Sequence, residues 1–193
     1  DFGNSVALDG DLMVVGAARE NGVSSDGHAG CANETTAVVN GATGYPTAVD
    51  CEKAGAAYLY ERSGGVWQPV AFLKAANAGS VDLFGSSVAI SGTTVVVGAP
   101  DSDSCSTSPI NGATGYATDN LCMNSGAAYV FERSDDGTWS PTAYLKAPNA
   151  GQTDMFGLSV AISNETIVVG APQEDSCTSV VINGATGYDD GTT

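Results

Sequence analysis

Positive charge is scarce in this chain. Six basic residues (Arg19, Lys53, Arg62, Lys74, Arg133 and Lys146) stand against 22 acidic ones, for a formal net charge of −16 over 193 residues. Such a surface repels phosphate backbones and anionic headgroups, which argues against nucleic acid and membrane surfaces as partners. Histidine occurs once, as His28 in a Gly/Ser/Asp stretch, and no G-x-S-x-G, P-loop or HExxH pattern is present. Carboxylate pairs such as Asp101/Asp103 and Glu174/Asp175 occur, but in so acidic a chain pairing alone does not make an acid–base site. The expectation is therefore a protein that is not an enzyme. No apolar run nears the ~20 residues that cross a bilayer as a helix, so membrane insertion is not expected. The sequence shows neither an initiator methionine nor a signal peptide, and reads as a mature product or a piece of something larger.

What is abundant is small and β-forming. The chain holds 25 Gly and is 42% hydrophobic but only 7% aromatic, and its apolar residues recur in a repeat. Asp1-Phe2-Gly3-Asn4-Ser5-Val6-Ala7-Leu8 returns as Leu83-Phe84-Gly85-Ser86-Ser87-Val88-Ala89-Ile90 and again as Met155-Phe156-Gly157-Leu158-Ser159-Val160-Ala161-Ile162. Asn-Gly-Ala-Thr-Gly-Tyr begins at 40, 111 and 183, and Gly-Ala-Ala-Tyr at 55 and 126. A fixed long period means stacked copies of one supersecondary unit, none able to bury its apolar face alone. The copies divide the chain into repeat 1 (1–82), repeat 2 (83–154) and a partial repeat 3 (155–193).

Each unit reads as four antiparallel strands. Ser-Val-Ala-Ile/Leu leads through a two-residue turn (Asp9-Gly10, Ser91-Gly92 or Ser163-Asn164) into a second strand. Gly and Asn suit such turns because the central residues need positive φ. After a long polar insertion, Ala56–Arg62 and Ala127–Arg133 form a third strand rich in aromatic and branched residues. A fourth begins near Trp67 or Trp139, with Pro69 and Pro141 marking it as a sheet edge. The fold class is all-β, with four-stranded antiparallel blades repeated radially as a β-propeller. A parallel β-helix fits less well, since its coils are shorter and lack hairpin turns.

The residues that carry this pattern, Phe-Gly at 2–3, 84–85 and 156–157 and Gly-Ala-Pro at 98–100 and 170–172, resemble the FG-GAP repeat family, the blades of the integrin α-subunit propeller. The first copy departs, with Gly16-Ala17-Ala18. The Tyr-Val-Phe-Glu-Arg-Ser…Trp segment resembles a variant of the family more than the integrin blades themselves. The resemblance implies a propeller of about seven blades, extracellular, binding another protein or a glycan. About 2.5 blades cannot close such a ring. The missing strands are expected from continuing chain or from a neighbouring chain, so that the segment self-associates through blade edges or insertion loops. The three Phe of Phe-Gly are expected to be equivalent buried positions between blades.

The cysteines follow the repeat. Cys31 and Cys51 flank the first insertion, Cys105 and Cys122 the second, and Cys177 takes the place of Cys31 and Cys105 with its partner expected just beyond Thr193. Paired cysteines closing loops of this length point to an oxidising compartment, hence an extracellular or cell-surface setting. A zinc site is the weaker reading, because no C-x-x-C occurs. Asn33 and Asn164 head N-glycosylation sequons. Calcium needs several oxygen ligands on one loop. The family resemblance implies such a loop between the first two strands, but only Asp9 and Asp11 remain there, while Asp101 and Asp103 form a second thin candidate. The insertions are closed and partly copied, whereas a loop that reads a ligand should diverge. Repetition suits an extracellular structural or adhesive module, a building block of a fibre or coat. A receptor-like propeller for one protein or glycan, and a propeller attached to a secreted hydrolase, are the alternatives. Non-reducing peptide mapping should yield Cys31–Cys51 and Cys105–Cys122 with Cys177 unpaired inside the segment; a Cys31–Cys105 peptide would refute the register.

Overall fold

The computed structural model describes residues 1–21, 38–41, 51–112, 116 and 120–175. Twelve strands lie among them: β1 (Ser5–Asp9), β2 (Leu12–Ala17), β3 (Val38–Asn40), β4 (Ala56–Ser63), β5 (Val66–Leu73), β6 (Ser87–Ser91), β7 (Thr94–Ala99), β8 (Ile110–Asn111), β9 (Ala127–Arg133), β10 (Trp139–Leu145), β11 (Ser159–Ser163) and β12 (Thr166–Gly170). They form two five-stranded antiparallel sheets, in the orders β1-β2-β4-β5-β3 and β6-β7-β9-β10-β8, and a third sheet of β11 and β12. These are successive propeller blades. Their first strands are neighbours, β6 touching both β1 and β11.

The repeat in sequence is a repeat in register. Leu12 faces Glu61 and Val15 faces Tyr58, as Thr94 faces Glu132 and Val97 faces Tyr129. The hairpin turns take positive φ at Gly10, Gly92 and Asn164 (59°, 55° and 52°), so asparagine substitutes for glycine where the backbone demands a left-handed residue.

The structure adds a fifth strand to the expected four. Each copied insertion returns to the sheet as β3 or β8, pairing Val38 with Leu73 and Asn40 with Ala71, or Ile110 with Tyr144 and Asn111 with Ala143. Only the second half of β5 and of β10 is covered in this way. Pro69 and Pro141 lie in the uncovered half, so the expected edge is real but partial. A bulge follows each proline, leaving Val70 and Thr142 out of register. The freed carbonyls of Val70 and Thr142 accept the N–H groups of Gly41 and Gly112 at 2.8 and 2.7 Å, which anchors the insertion to the bulge.

The core lies between blades 1 and 2. Phe84 is fully buried, edge-on to Tyr129 and Phe131 at 5.3 and 6.0 Å between ring centroids. Its backbone bridges back to Gly55 of the preceding blade, and its N–H donates to the Ala54 carbonyl at 3.0 Å. The expected equivalence of the three phenylalanines fails in burial. Phe2 makes the matching ring contact with Tyr58 at 5.3 Å but is 59% exposed, because no described sheet flanks it on that side. Phe156 bridges back to Gly126 and is only half-buried, since no third strand of its own sheet is described.

Phe84→Ala should therefore cost about 3–5 kcal/mol, and Phe2→Ala less than about 1 kcal/mol. Urea unfolding of the two variants beside the parent chain measures both; equal losses would contradict the burial difference.

Candidate interaction surface at the blade junctions

At the hairpin-turn end of the blades, polar groups run from each sheet to the next. The Asp9 carboxylate accepts the Gly92 N–H at 2.6 Å, and the Ser91 hydroxyl accepts the Asn164 N–H at 3.1 Å. Glu61 on β4 grips Arg133 on β9 in a two-pronged ion pair, Nη1–Oε1 at 3.0 Å and Nη2–Oε2 at 2.9 Å. Planar guanidinium and carboxylate match each other in this geometry, which fixes orientation as well as contact. Arg62, the repeat equivalent of Arg133, turns to Asp11 at 2.7 Å and lies over the Trp67 ring. Of the two calcium candidates here, Asp9 thus holds the neighbouring turn and Asp11 an arginine.

The insertion motif makes a junction contact of its own. Asn40 donates from Nδ2 to the Trp139 carbonyl at 3.1 Å and accepts the Trp139 N–H at 2.8 Å. It completes the backbone of β10, one blade away. The tyrosine that ends the second copy, Tyr116, is buried in its own blade and stacks on Tyr144 at 5.2 Å. Burial pushes the phenols of Tyr116 and Tyr144 up to about 12.

At the opposite end, Asp101 and Asp103 follow Gly-Ala-Pro. Asp103 accepts the Asn124 N–H at 2.8 Å, and its carbonyl accepts the Cys122 N–H at 2.8 Å, so it ties down the closing limb of the insertion. In repeat 1, Asn21 does the same for the Lys53 N–H at 3.0 Å. Asp101 is half-buried, and burial, then the Asp103 charge, raises its carboxyl above the ordinary range. Among the described residues, no three His, Cys, Asp or Glu side chains converge as a metal site.

Sequence reading passed over the most perturbed acid of the group. Asp82 is buried, accepts the Gly79 N–H at 2.6 Å, and is pushed up to about 7. Burial is the main cause, reinforced by Asp103 and Asp101 and opposed by the Gly79 hydrogen bond and by Lys74. Lys74 is itself buried and donates to the Gly55 carbonyl at 2.6 Å. Asp154 and Lys146 repeat the arrangement, with Asp154 accepting the Gly151 N–H at 2.7 Å and Lys146 donating to the Gly126 carbonyl at 2.5 Å and also to Ser125 Oγ at 2.8 Å. The signal was present as Leu-Lys-Ala at 73–75 and 145–147 and Asp-Leu/Met-Phe-Gly at 82–85 and 154–157.

Cys105 and Cys122 form a disulfide with Cα atoms 4.9 Å apart. Cys51 is also disulfide-bonded and fully buried. Asn164 is exposed at its turn. Cys31, Asn33, Cys177 and His28 lie outside the described residues.

Radial antiparallel sheets joined by Phe-Gly and Gly-Ala segments define a β-propeller module. The FG-GAP repeat model matches residues 1–32, 67–131 and 139–191, and the chain belongs to that family. No curated protein matches it in sequence.

The Asp82 value sets a pH dependence. A carboxyl raised from 3.8 to about 7 on folding binds its proton more tightly in the folded chain, so its contribution is full below about pH 4 and is lost as pH rises towards 7. Asp82→Asn keeps an acceptor for Gly79 and should flatten this fall, making the variant more stable than the parent at pH 8. Urea midpoints at pH 5 and pH 8 measure the difference; parallel slopes would assign the decline to other groups.

Proposed function

We propose that the chain is a non-enzymatic structural or adhesive β-propeller module of the cell exterior, a building block of a surface fibre or coat. The observation that carries this reading is the Asn40–Trp139 contact. Asn40, which opens the copied motif of the insertion, joins one blade to the next, as a repeating structural element would, rather than reaching out towards a ligand. The tyrosine of the motif, seen at Tyr116, is likewise buried in the blade. The Cys105–Cys122 disulfide and the acidic surface support an oxidising, extracellular setting. Family membership adds a module that in relatives of the integrin kind meets other proteins, and protein self-association is the partner this reading favours.

Surface biotinylation of intact source cells should label the protein, and native material should sediment as assemblies far larger than a 19.3 kDa chain. A monomeric cytosolic protein whose Cys105 and Cys122 alkylate without prior reduction would overturn the reading. Retention of one glycan or one protein by a strictly monomeric chain would favour a receptor instead.

A further inference from the structure

The two insertions close with limbs of one design. In repeat 2, the carbonyls of Met123, Asn124 and Ser125 accept the N–H groups of Thr153, Met155 and Phe156 at 2.8, 3.0 and 3.1 Å. In repeat 1, those of Glu52, Lys53 and Ala54 accept Val81, Leu83 and Phe84 at 2.8, 3.2 and 3.0 Å. Each limb therefore holds the segment that leads into the Phe-Gly of the next blade. That segment is strained. Val81 and Thr153 take left-handed φ angles of 71° and 68°, and Leu83 and Met155 both take 57°. Branched and bulky side chains disfavour this region, and such a conformation persists only where neighbouring contacts impose it.

A half-cystine begins each limb, and here the two copies differ. Cys105 and Cys122 are both partly exposed, whereas Cys51 is fully buried in the apolar core. Attack on the Cys51 sulfur is blocked. Attack on its partner sulfur would expel Cys51 as a thiolate into apolar surroundings, which makes it a poor leaving group. Apart from the disulfide, the outer half of the second limb is fastened by Asp103, whose carbonyl and carboxylate accept the Cys122 and Asn124 N–H groups, each at 2.8 Å. The inner half is anchored more deeply. The buried Ser125 hydroxyl donates to the Ser104 carbonyl at 2.7 Å, and the Gly126 N–H donates to the Ser102 carbonyl at 2.9 Å.

We infer that the Cys105–Cys122 disulfide is a thiol–disulfide exchange site that fastens the junction to the following blade and is opened by a dithiol, while the disulfide of Cys51 is its unreactive copy. A thiolate of the dithiol bonds to one sulfur, and the electron pair of the broken S–S bond leaves on the other cysteine, which takes up a proton. The second thiol of the reactant then displaces the remaining cysteine and closes the reactant's own disulfide. With the link gone, the outer half of the limb lifts and Thr153 and Met155 relax, while Ser125, Gly126 and Phe156 stay in place. The reaction thus acts on the blade after the one that carries the cysteines.

The test uses the full 193-residue chain. Brief treatment with dilute dithiothreitol, trapping with iodoacetamide and peptide mapping should show Cys105 and Cys122 modified about tenfold faster than Cys51. Amide exchange followed residue by residue by NMR should then run about tenfold faster at Thr153 and Met155, with Val81, Leu83 and Phe156 unchanged. A variant carrying both Cys105→Ser and Cys122→Ser should show that pattern with no reductant present, and reoxidation of the reduced parent chain should reverse it. Modification of Cys51 at the same rate, or unaltered exchange at Thr153 and Met155, would overturn the inference. So would loss of the whole sheet signal in circular dichroism in both the reduced chain and the double variant, because the disulfide would then support the fold at large rather than one junction.

Discussion

The carbonyl oxygen of Gly85 lies where a side chain on Gly16 would have to go. A Cβ built on Gly16 would stand 2.1 Å from that oxygen, and one on Gly98 would stand 1.9 Å from the Gly157 oxygen at the next junction. The Gly85 oxygen also accepts the Ser5 hydroxyl at 2.8 Å, and the Gly157 oxygen accepts the Ser87 hydroxyl at 2.8 Å. Within each repeat, the N–H of the glycine after phenylalanine donates to the glycine of Gly-Ala, Gly85 to Gly98 at 2.9 Å and Gly157 to Gly170 at 3.0 Å. The two signature segments are therefore halves of one contact, in which backbone meets backbone with nothing between. Neighbouring sheets come close enough for Phe84 to be enclosed only because those positions carry hydrogen in place of a side chain.

Once the sheets are so close, side chains supply register rather than attraction. The Glu61–Arg133 pair is partly exposed, with 23% and 36% of the arginine and glutamate side chains accessible, and pairs of this kind add little to stability. Its geometry nevertheless allows one position of β9 against β4, as the Asn40 amide allows one position of β10. The buried Lys74 and Asp82 lie at the other end of the sheet, each meeting a backbone group, the Gly55 carbonyl and the Gly79 N–H. Burial of polar groups is tolerable where each finds such a partner.

The hairpins, the period and the Cys105–Cys122 pairing were legible because they are local or are copied at constant spacing. A two-residue turn announces itself within a few residues, and Asn164 replacing glycine confirmed the geometry that the turn requires. The fifth strand was hidden because β3 and β8 are too short to show alternation and are defined only by the sheet they join. Asn40 could be read as copied, but its partner Trp139 stands 99 residues away and no pattern near either residue reports the contact. Asp82 looked like any other carboxylate of an acidic chain, since burial is a property of the neighbours. Phe2, in turn, has the sequence of a buried residue and lacks the flanking sheet that would bury it.

The position of β3 in the chain has a consequence for how the sheet is assembled. Its hydrogen-bonding partner β5 comes later in sequence, after β4, so β3 has no edge to join until the β4–β5 hairpin exists. During synthesis β3 emerges before both strands of that hairpin, so its place at the sheet edge exists only after β5 has been made. The Asn40 clasp waits longer still, for β10 of the following repeat. Blade 1 is thus completed by a contact that only the following repeat can supply.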